Sequence, residues 1–264
     1  MEKASKTKLK QVRELMRDRK VRDASGLFVA EGLKIVTDMV RKGHAPDSMI
    51  ISRDFAGKEE NKDFFRDMQD RPFPVFEAGD ADFEKVSSLQ HSQGIMAVMK
   101  QSERSEGVPV GKEDALLVLC DGIQDPGNLG AMIRTSVAFG VDSMLFMGET
   151  ADIYNPKVIR ASSGMILDIP VYKCDIAELD RLKKKGYHLL VSSPREQGSK
   201  DIADVTGIPP PFIIAFGSEG KGVSGGVSDR ADGSFHVPIC EAAESLNVAA
   251  AAAISLYVFA RMRE

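Results

Sequence analysis

The chain has 264 residues, 28% of them charged and 43% hydrophobic, with a formal net charge of −4. That length can bury one large core or two modest ones, and the composition is ordinary for a globular protein. No apolar run reaches the roughly eighteen residues of a membrane helix, and the charged first residues do not resemble a secretory signal. Cys120, Cys174 and Cys240 lie far apart without CxxC spacing, and the four histidines are scattered. These features argue against a disulfide framework or a metal cluster and point to reduced cytoplasm.

The charge is unevenly spread. Residues 1–22 hold nine Lys/Arg and three acids, so that segment is +6 and the remainder is −10. A basic segment on an acidic body suggests contact with a polyanion. Lys6, Lys8, Lys10 and Arg13 are its candidate RNA-contact residues. A solvated helix with Leu9, Val12 and Met16 facing inward explains the same pattern.

In chain order, the spacing predicts a helix from Lys6 to about Arg19, a strand at Leu27–Ala30 and a helix from Leu33 to a C-cap at Gly43. Met49–Ile51 reads as a strand, Lys62–Gln69 as a helix, Pro74–Phe76 as a strand and Asp80–Leu89 as a helix. Gly94–Met99 closes this α/β region as a strand. Lys100–Glu113 has linker composition. The expected organisation is thus an N-terminal domain over 1–102, a linker over 103–114 and a second domain over 115–264, with either domain able to fold alone.

Ala115–Cys120 is a continuous apolar run, as are Asp142–Met147, Tyr187–Ser192 and Pro211–Phe216, which suits strands buried on both faces of a parallel sheet. Helices are expected near Asn128–Phe139, Asn155–Ser162, Ile176–Lys185 and Ser245–Arg261. This is a Rossmann-like arrangement, in which ligands sit beyond the carboxyl ends of the strands.

Three motifs fall near such ends. Asp125-Pro126-Gly127-Asn128 is turn chemistry after a buried strand, and Arg134, six residues beyond Asn128, offers a planar fork suited to phosphate or to a nearby carboxylate. Gly217-Ser218-Glu219-Gly220-Lys221-Gly222 follows an apolar strand. It is no Walker A loop, but Gly220-x-Gly222-x-x-Gly225 matches the dinucleotide fingerprint, which needs a helix opening at its last glycines. The residues that follow lack helical spacing, which disfavours nicotinamide binding. Glu244-Ser245-Leu246-Asn247 opens the last helix, with Glu244 or Ser245 as cap and Asn247 inside the first turn, where Asn is a poor helix former.

Together these motifs resemble the SpoU (TrmH-like) family of RNA 2′-O-ribose methyltransferases. The resemblance implies an α/β domain with a deep trefoil knot, preceded by a smaller RNA-binding α/β domain, and a homodimer paired through the knotted domains. It implies S-adenosyl-L-methionine held by backbone groups around Gly217, Val237, Ile239 and Leu246, with Gly217 so near the ligand that a side chain would obstruct it. Asn128, Arg134, Glu219, Ser245 and Asn247 match the family's characteristic polar positions. The N-terminal match is weaker and rests on the Lys-rich start, Phe28–Gly32 and Gly94–Val98. The segment before it, His91-Ser92-Gln93, departs from the commoner pattern with proline. The implied reaction is methyl transfer to a ribose 2′-OH, with ribosomal RNA favoured over tRNA by the extra N-terminal domain. An RNA-binding member that has lost catalysis would share the scaffold. Arg134 is either the base or the ligand of the 3′ phosphate that takes the proton, and arginine's permanent charge weighs on the first.

Overall fold

The computed structural model describes residues 1–68, 73–102, 107–194 and 198–263. The chain divides into two compact units, Met1–Gln101 with Asp152–Leu167, and Ser102–Ala151 with Asp168–Glu264.

The first unit opens with β1 (Glu2–Lys3), α1 (Lys6–Arg17), α2 (Arg19–Ser25), β2 (Leu27–Glu31) and α3 (Leu33–Arg41). It continues with β3 (Ser48–Ser52), α4 (Arg53–Gly57), α5 (Lys62–Met68), β4 (Val75–Ala78), α6 (Asp80–Val86) and β5 (Ile95–Lys100). The mixed sheet has the order β1-β4-β3-β5-β2. Side-chain alternation along β2 sends Val29 to the cluster formed with Val12, Leu15 and Met16 of α1 and Phe83 and Val86 of α6. The helix expected over Lys6–Arg19 is broken at Asp18, which ends α1 and caps α2 by accepting from Lys20 N–H at 2.8 Å. Gln69, the expected end of α5, lies outside the described residues.

The opposite face of this sheet receives a segment from far along the chain. Helix α8 (Pro156–Ala161) contacts β2, and the Tyr154 ring lies 4.9 Å from that of Phe28. Arg22 is 3% exposed and donates through Nε and Nη2 to Asp152 Oδ2 at 2.9 and 2.6 Å, and through Nη1 to Leu15 O at 2.6 Å. Tyr154, Val158, Ile159 and Ile166 are fully buried. A cut after residue 102 would strip the cover from these side chains and leave Asp152 without Arg22. Independent folding of residues 115–264, expected from composition, is therefore at odds with this packing.

The second unit contains β6 (Leu116–Asp121), α7 (Pro126–Ala138), β7 (Ser143–Met147), β8 (Val171–Lys173), α9 (Ile176–Lys184) and β9 (His188–Ser192). After these come β10 (Lys200–Asp201), β11 (Phe212–Gly217), α10 (Gly225–Ser228), β12 (Gly233–His236) and α11 (Val248–Arg261). Its seven strands are all parallel, in the order β10-β12-β9-β11-β6-β7-β8. Strands β6 and β11 lie side by side at the centre and are fully apolar until their last residues, as strands covered on both faces must be. Their register pairs Gly217 with Asp121, so the first two motifs leave the sheet together.

Residues 103–106 of the expected linker lie outside the described residues. The next stretch is not free, because Val108 is 3% exposed, donates to Glu178 Oε1 at 2.8 Å and accepts from Arg181 Nη2 at 2.7 Å. An apolar residue in a polar run anchors it to α9.

Candidate active site

The site is built where β6, β7 and β11 end. Gly122 follows β6 at φ +73°, a left-handed turn that glycine adopts without strain, and its N–H donates to Met147 O and Thr150 Oγ1, both at 3.1 Å. Thr150 Oγ1 donates to Met147 O at 2.7 Å, tying the two strand ends together. Asp121 is 6% exposed, and its Oδ2 accepts from Ser224 N–H at 2.6 Å, which fixes the far end of the glycine-rich loop.

That loop is a tight reversal. Ser218 and Gly222 exchange backbone hydrogen bonds of 3.0 and 2.8 Å, and Gly222 takes φ +67°. Glu219, Gly220 and Lys221 form its exposed tip. The turn explains Gly217. A Cβ there would lie 1.9 Å from Gly222 C and 2.0 Å from Val223 N. A side chain at Gly217 would be obstructed by the chain's own loop.

Asp125 caps α7 by accepting from Asn128 N–H at 2.8 Å, with Pro126 at the first turn. The Asn128 side chain is then free to turn outward, and its Nδ2 donates to Glu219 Oε1. Asn247 Nδ2 donates to Asn128 Oδ1 at 2.9 Å. Asn247 is not inside the last helix, as its spacing suggested. It is the N-cap, accepting from Ala249 N–H at 3.0 Å and Ala250 N–H at 3.4 Å, and α11 starts at Val248 rather than Ser245. Ser245 is exposed and does not serve as the cap. One residue of each motif, Asn128, Glu219 and Asn247, thus meets in a single hydrogen-bonded chain.

Beside it opens a cavity of about 470 Å³, lined by Asp121–Asp125, Asn128, Gly148, Glu149, Ser218–Ser224 and Val248. Arg134 projects from α7 as an exposed residue outside that lining. Gly217, Val237, Ile239, Ser245 and Leu246 also lie outside it. Val237 and Ile239 follow the carboxyl end of β12, and Leu246 precedes the Asn247 cap. Ile239 and Leu246 are each 36% exposed, unusual for large apolar side chains beside strand ends. Within 238–246 the backbone hydrogen bond among the described residues is Ala243 N to Cys240 O at 3.1 Å, so the main-chain groups of Ile239 and Leu246 stay available. Apolar side chains next to open main-chain donors and acceptors fit an adenosine-bearing cofactor such as S-adenosylmethionine.

Sequence reasoning passed over Thr150, Gln124 and Glu149. Gln124 is an ordinary position between Asp121 and Asp125 at the end of β6, and Glu149 and Thr150 follow β7 and reach the site only because β7 pairs with β6. It also expected no helix after Gly225. One turn, α10, does open there, since Ser224 O accepts from Val227 and Ser228 N–H at 3.0 and 2.9 Å. The two buried cysteines, Cys120 and Cys174, offer no nucleophile. Burial pushes the Cys120 thiol well up, and burial, then Glu178, pushes Cys174 up to about 12.

The candidate RNA-contact residues lie in the first unit. Lys6, Lys10 and Arg13 are exposed on α1. Lys8 departs from the expectation. Its side chain is 17% exposed, 3.7 Å from Asp47 and 5.7 Å above the Phe76 ring, so its charge already has partners within the protein.

The SpoU rRNA Methylase family model matches residues 115–257, which hold the whole three-motif chain. The protein belongs to the SpoU rRNA methylase family. Residues 6–97 match the MRM3-like substrate binding domain. The chain is 35% identical over 178 residues to the 23S rRNA (guanosine(2553)-2′-O)-methyltransferase RlmP of Bacillus subtilis, covering 66% of this chain and 68% of that one. It is 26% identical over 257 residues to the 23S rRNA (uridine(2479)-2′-O)-methyltransferase of Streptomyces viridochromogenes, covering 94% and 88%. The AdoMet-bound rRNA methyltransferase of Sinorhizobium meliloti superposes with a TM-score of 0.82 at 25% identity, covering 99% of this chain and 97% of that one. The SpoU fold thus spans both units, with its parallel sheet in the second.

Proposed function

We propose that this protein transfers a methyl group from S-adenosyl-L-methionine to a ribose 2′-OH of ribosomal RNA. The observation that carries the reading is the convergence of Asn128, Glu219 and Asn247 at the carboxyl ends of the central strands, in a chain of the SpoU family.

The cofactor supplies an electrophilic methyl group on a sulfonium. Main-chain groups around Gly217, Val237, Ile239 and Leu246 would hold it, with the Ile239 and Leu246 side chains against its apolar parts. Asn128 and Asn247 orient Glu219 and keep the loop tip in one geometry, so the reacting groups meet without reorganisation. Arginine serves as a fixed planar cation rather than as a base, and Arg134 takes that role. It holds the phosphate beside the target ribose, and that phosphate accepts the departing proton. Ser245 lies in the exposed loop that leads to the Asn247 cap.

The first unit reads the RNA, with Lys6, Lys10 and Arg13 meeting phosphates. Ribosomal RNA is favoured over tRNA by the substrate binding domain match and by the 23S rRNA substrates in the names of the two relatives. The working form is a homodimer paired through the second unit, whose C-terminal segment forms the family's trefoil knot. Ile254 and Tyr257, exposed by 41% and 53% on α11, are the apolar side chains such a contact would cover. The compartment is the cytoplasm, and no helix among the described residues is long and apolar enough to cross a membrane.

Incubation with methyl-labelled S-adenosylmethionine and total bacterial RNA, followed by separation of rRNA from tRNA, tests the reading. Label in the large ribosomal RNA is expected. Label confined to tRNA, or none, would overturn it.

A further inference from the structure

The cavity beside the Asn128–Glu219 pair carries four carboxylates, Asp121, Asp125, Glu149 and Glu219, against one cation, Lys221. Such a lining repels phosphate, and its volume is in the range of small-molecule sites. The uncharged end of a nucleotide suits it. Three of the carboxylates are committed within the protein. Asp121 accepts from Ser224 N–H, Asp125 from Asn128 N–H and Glu219 from Asn128 Nδ2. Glu149 is exposed to the cavity and has no hydrogen bond or ion pair among the described residues, and the same holds for the Gln124 side chain.

We propose that this cavity receives the base of the nucleotide being methylated, and that Glu149 selects guanine. The proposal rests on the reading of the chain as an rRNA ribose methyltransferase. A carboxylate only accepts hydrogen bonds, through two oxygens side by side. Guanine presents N1–H and N2–H side by side on its Watson–Crick edge, so both oxygens are satisfied at once. Uracil offers one N–H between two carbonyls, which repel the carboxylate. Cytosine and adenine each offer one amino group next to an acceptor nitrogen. Any of these three would leave an oxygen of Glu149 unpaired or opposed beneath the bound base, which is how a polar site rejects the wrong partner. Gln124, with an amide donor, suits the O6 acceptor that guanine presents beside the same donors.

The test starts from unmodified 23S rRNA transcripts, methylated with labelled S-adenosylmethionine and digested to nucleosides. The label is expected in 2′-O-methylguanosine. A synthetic fragment around the mapped position, with inosine in place of the target guanosine, then lacks only the N2 amino group. The wild-type protein should lose about tenfold or more in kcat/KM on inosine. Glu149→Gln should lose about 10- to 100-fold on guanosine with unchanged S-adenosylmethionine affinity, and should scarcely distinguish inosine from guanosine. Label in another 2′-O-methylnucleoside, or an equal inosine penalty in both proteins, would overturn the base assignment and leave methyl transfer standing. Equal wild-type rates on inosine and guanosine would overturn it without any variant. Absence of label from every 2′-O-methylnucleoside would remove both readings.

Discussion

Asn247 donates from Nδ2 to Oδ1 of Asn128 at 2.9 Å while its own Oδ1 accepts the first N–H groups of α11. One side chain therefore anchors the last helix and steadies the residue that holds Glu219. These roles use opposite ends of the amide and can be separated.

Asn247→Ala should remove both roles, lowering stability by about 1 kcal/mol and methyl transfer by roughly 10- to 100-fold. Asn247→Asp keeps an accepting oxygen at a helix N-terminus, where negative charge is favourable, but cannot donate to Asn128. Its thermal melting should match the wild type while its turnover falls like that of the alanine variant. Equal activity of the aspartate variant and the wild type would show that the Asn247–Asn128 contact is idle.

Gly217 is limited by its own loop. Gly217→Ala should cost about 1–3 kcal/mol in denaturant unfolding, because a methyl group at that position cannot coexist with the Ser218–Gly222 turn. S-adenosylmethionine affinity should fall with it. Lost affinity at unchanged stability would mean that the ligand, rather than the loop, sets the requirement for glycine.

Cys240 gives a chemical probe of the cofactor segment. It is the exposed cysteine and follows Ile239, whereas Cys120 and Cys174 are buried with their pKa values raised. Iodoacetamide at about pH 8 should modify Cys240 alone in the folded protein. S-adenosylmethionine should slow that modification, as read by mass spectrometry. Alkylation indifferent to the cofactor would place the cofactor away from Ile239.

On α1, Lys6, Lys10 and Arg13 point to solvent and Lys8 does not. Alanine at each of the first three should reduce the slope of log affinity against log salt by roughly 0.7–0.9 for every phosphate that is no longer neutralised. Lys8→Ala should leave the slope alone and reduce stability instead. A slope change at Lys8 as large as at Lys10 would contradict the division.

Much of this was legible in the sequence, for physical reasons. The apolar runs at Leu116–Cys120 and Phe212–Phe216 have no polar face, so they had to lie inside a covered sheet, and motifs that follow such strands had to leave from its edge. The parts that were not legible depend on distant partners. Nothing local shows that Asp152–Leu167 folds back onto β2, because Tyr154, Val158 and Ile159 read as core of whichever unit is nearest in sequence. Glu149 looks like a surface loop residue until β7 is paired with β6. The start of the last helix lies three residues beyond its expected place, since Ser245 and Asn247 are both good caps and only the geometry at Ala249 decides between them.

The most direct test of the central claim is the alkaline stability of the product. A 2′-O-methyl group removes the nucleophile that cleaves the adjacent phosphodiester, so labelled RNA digested in alkali should carry all its label in alkali-resistant dinucleotides. Arg134→Ala should abolish that label while binding S-adenosylmethionine nearly as well as the wild type by calorimetry, and Arg134→Lys should rescue poorly for want of the planar fork. Label in alkali-sensitive mononucleotides would mean methylation of a base, and near-normal turnover in Arg134→Ala would remove that arginine from the reaction.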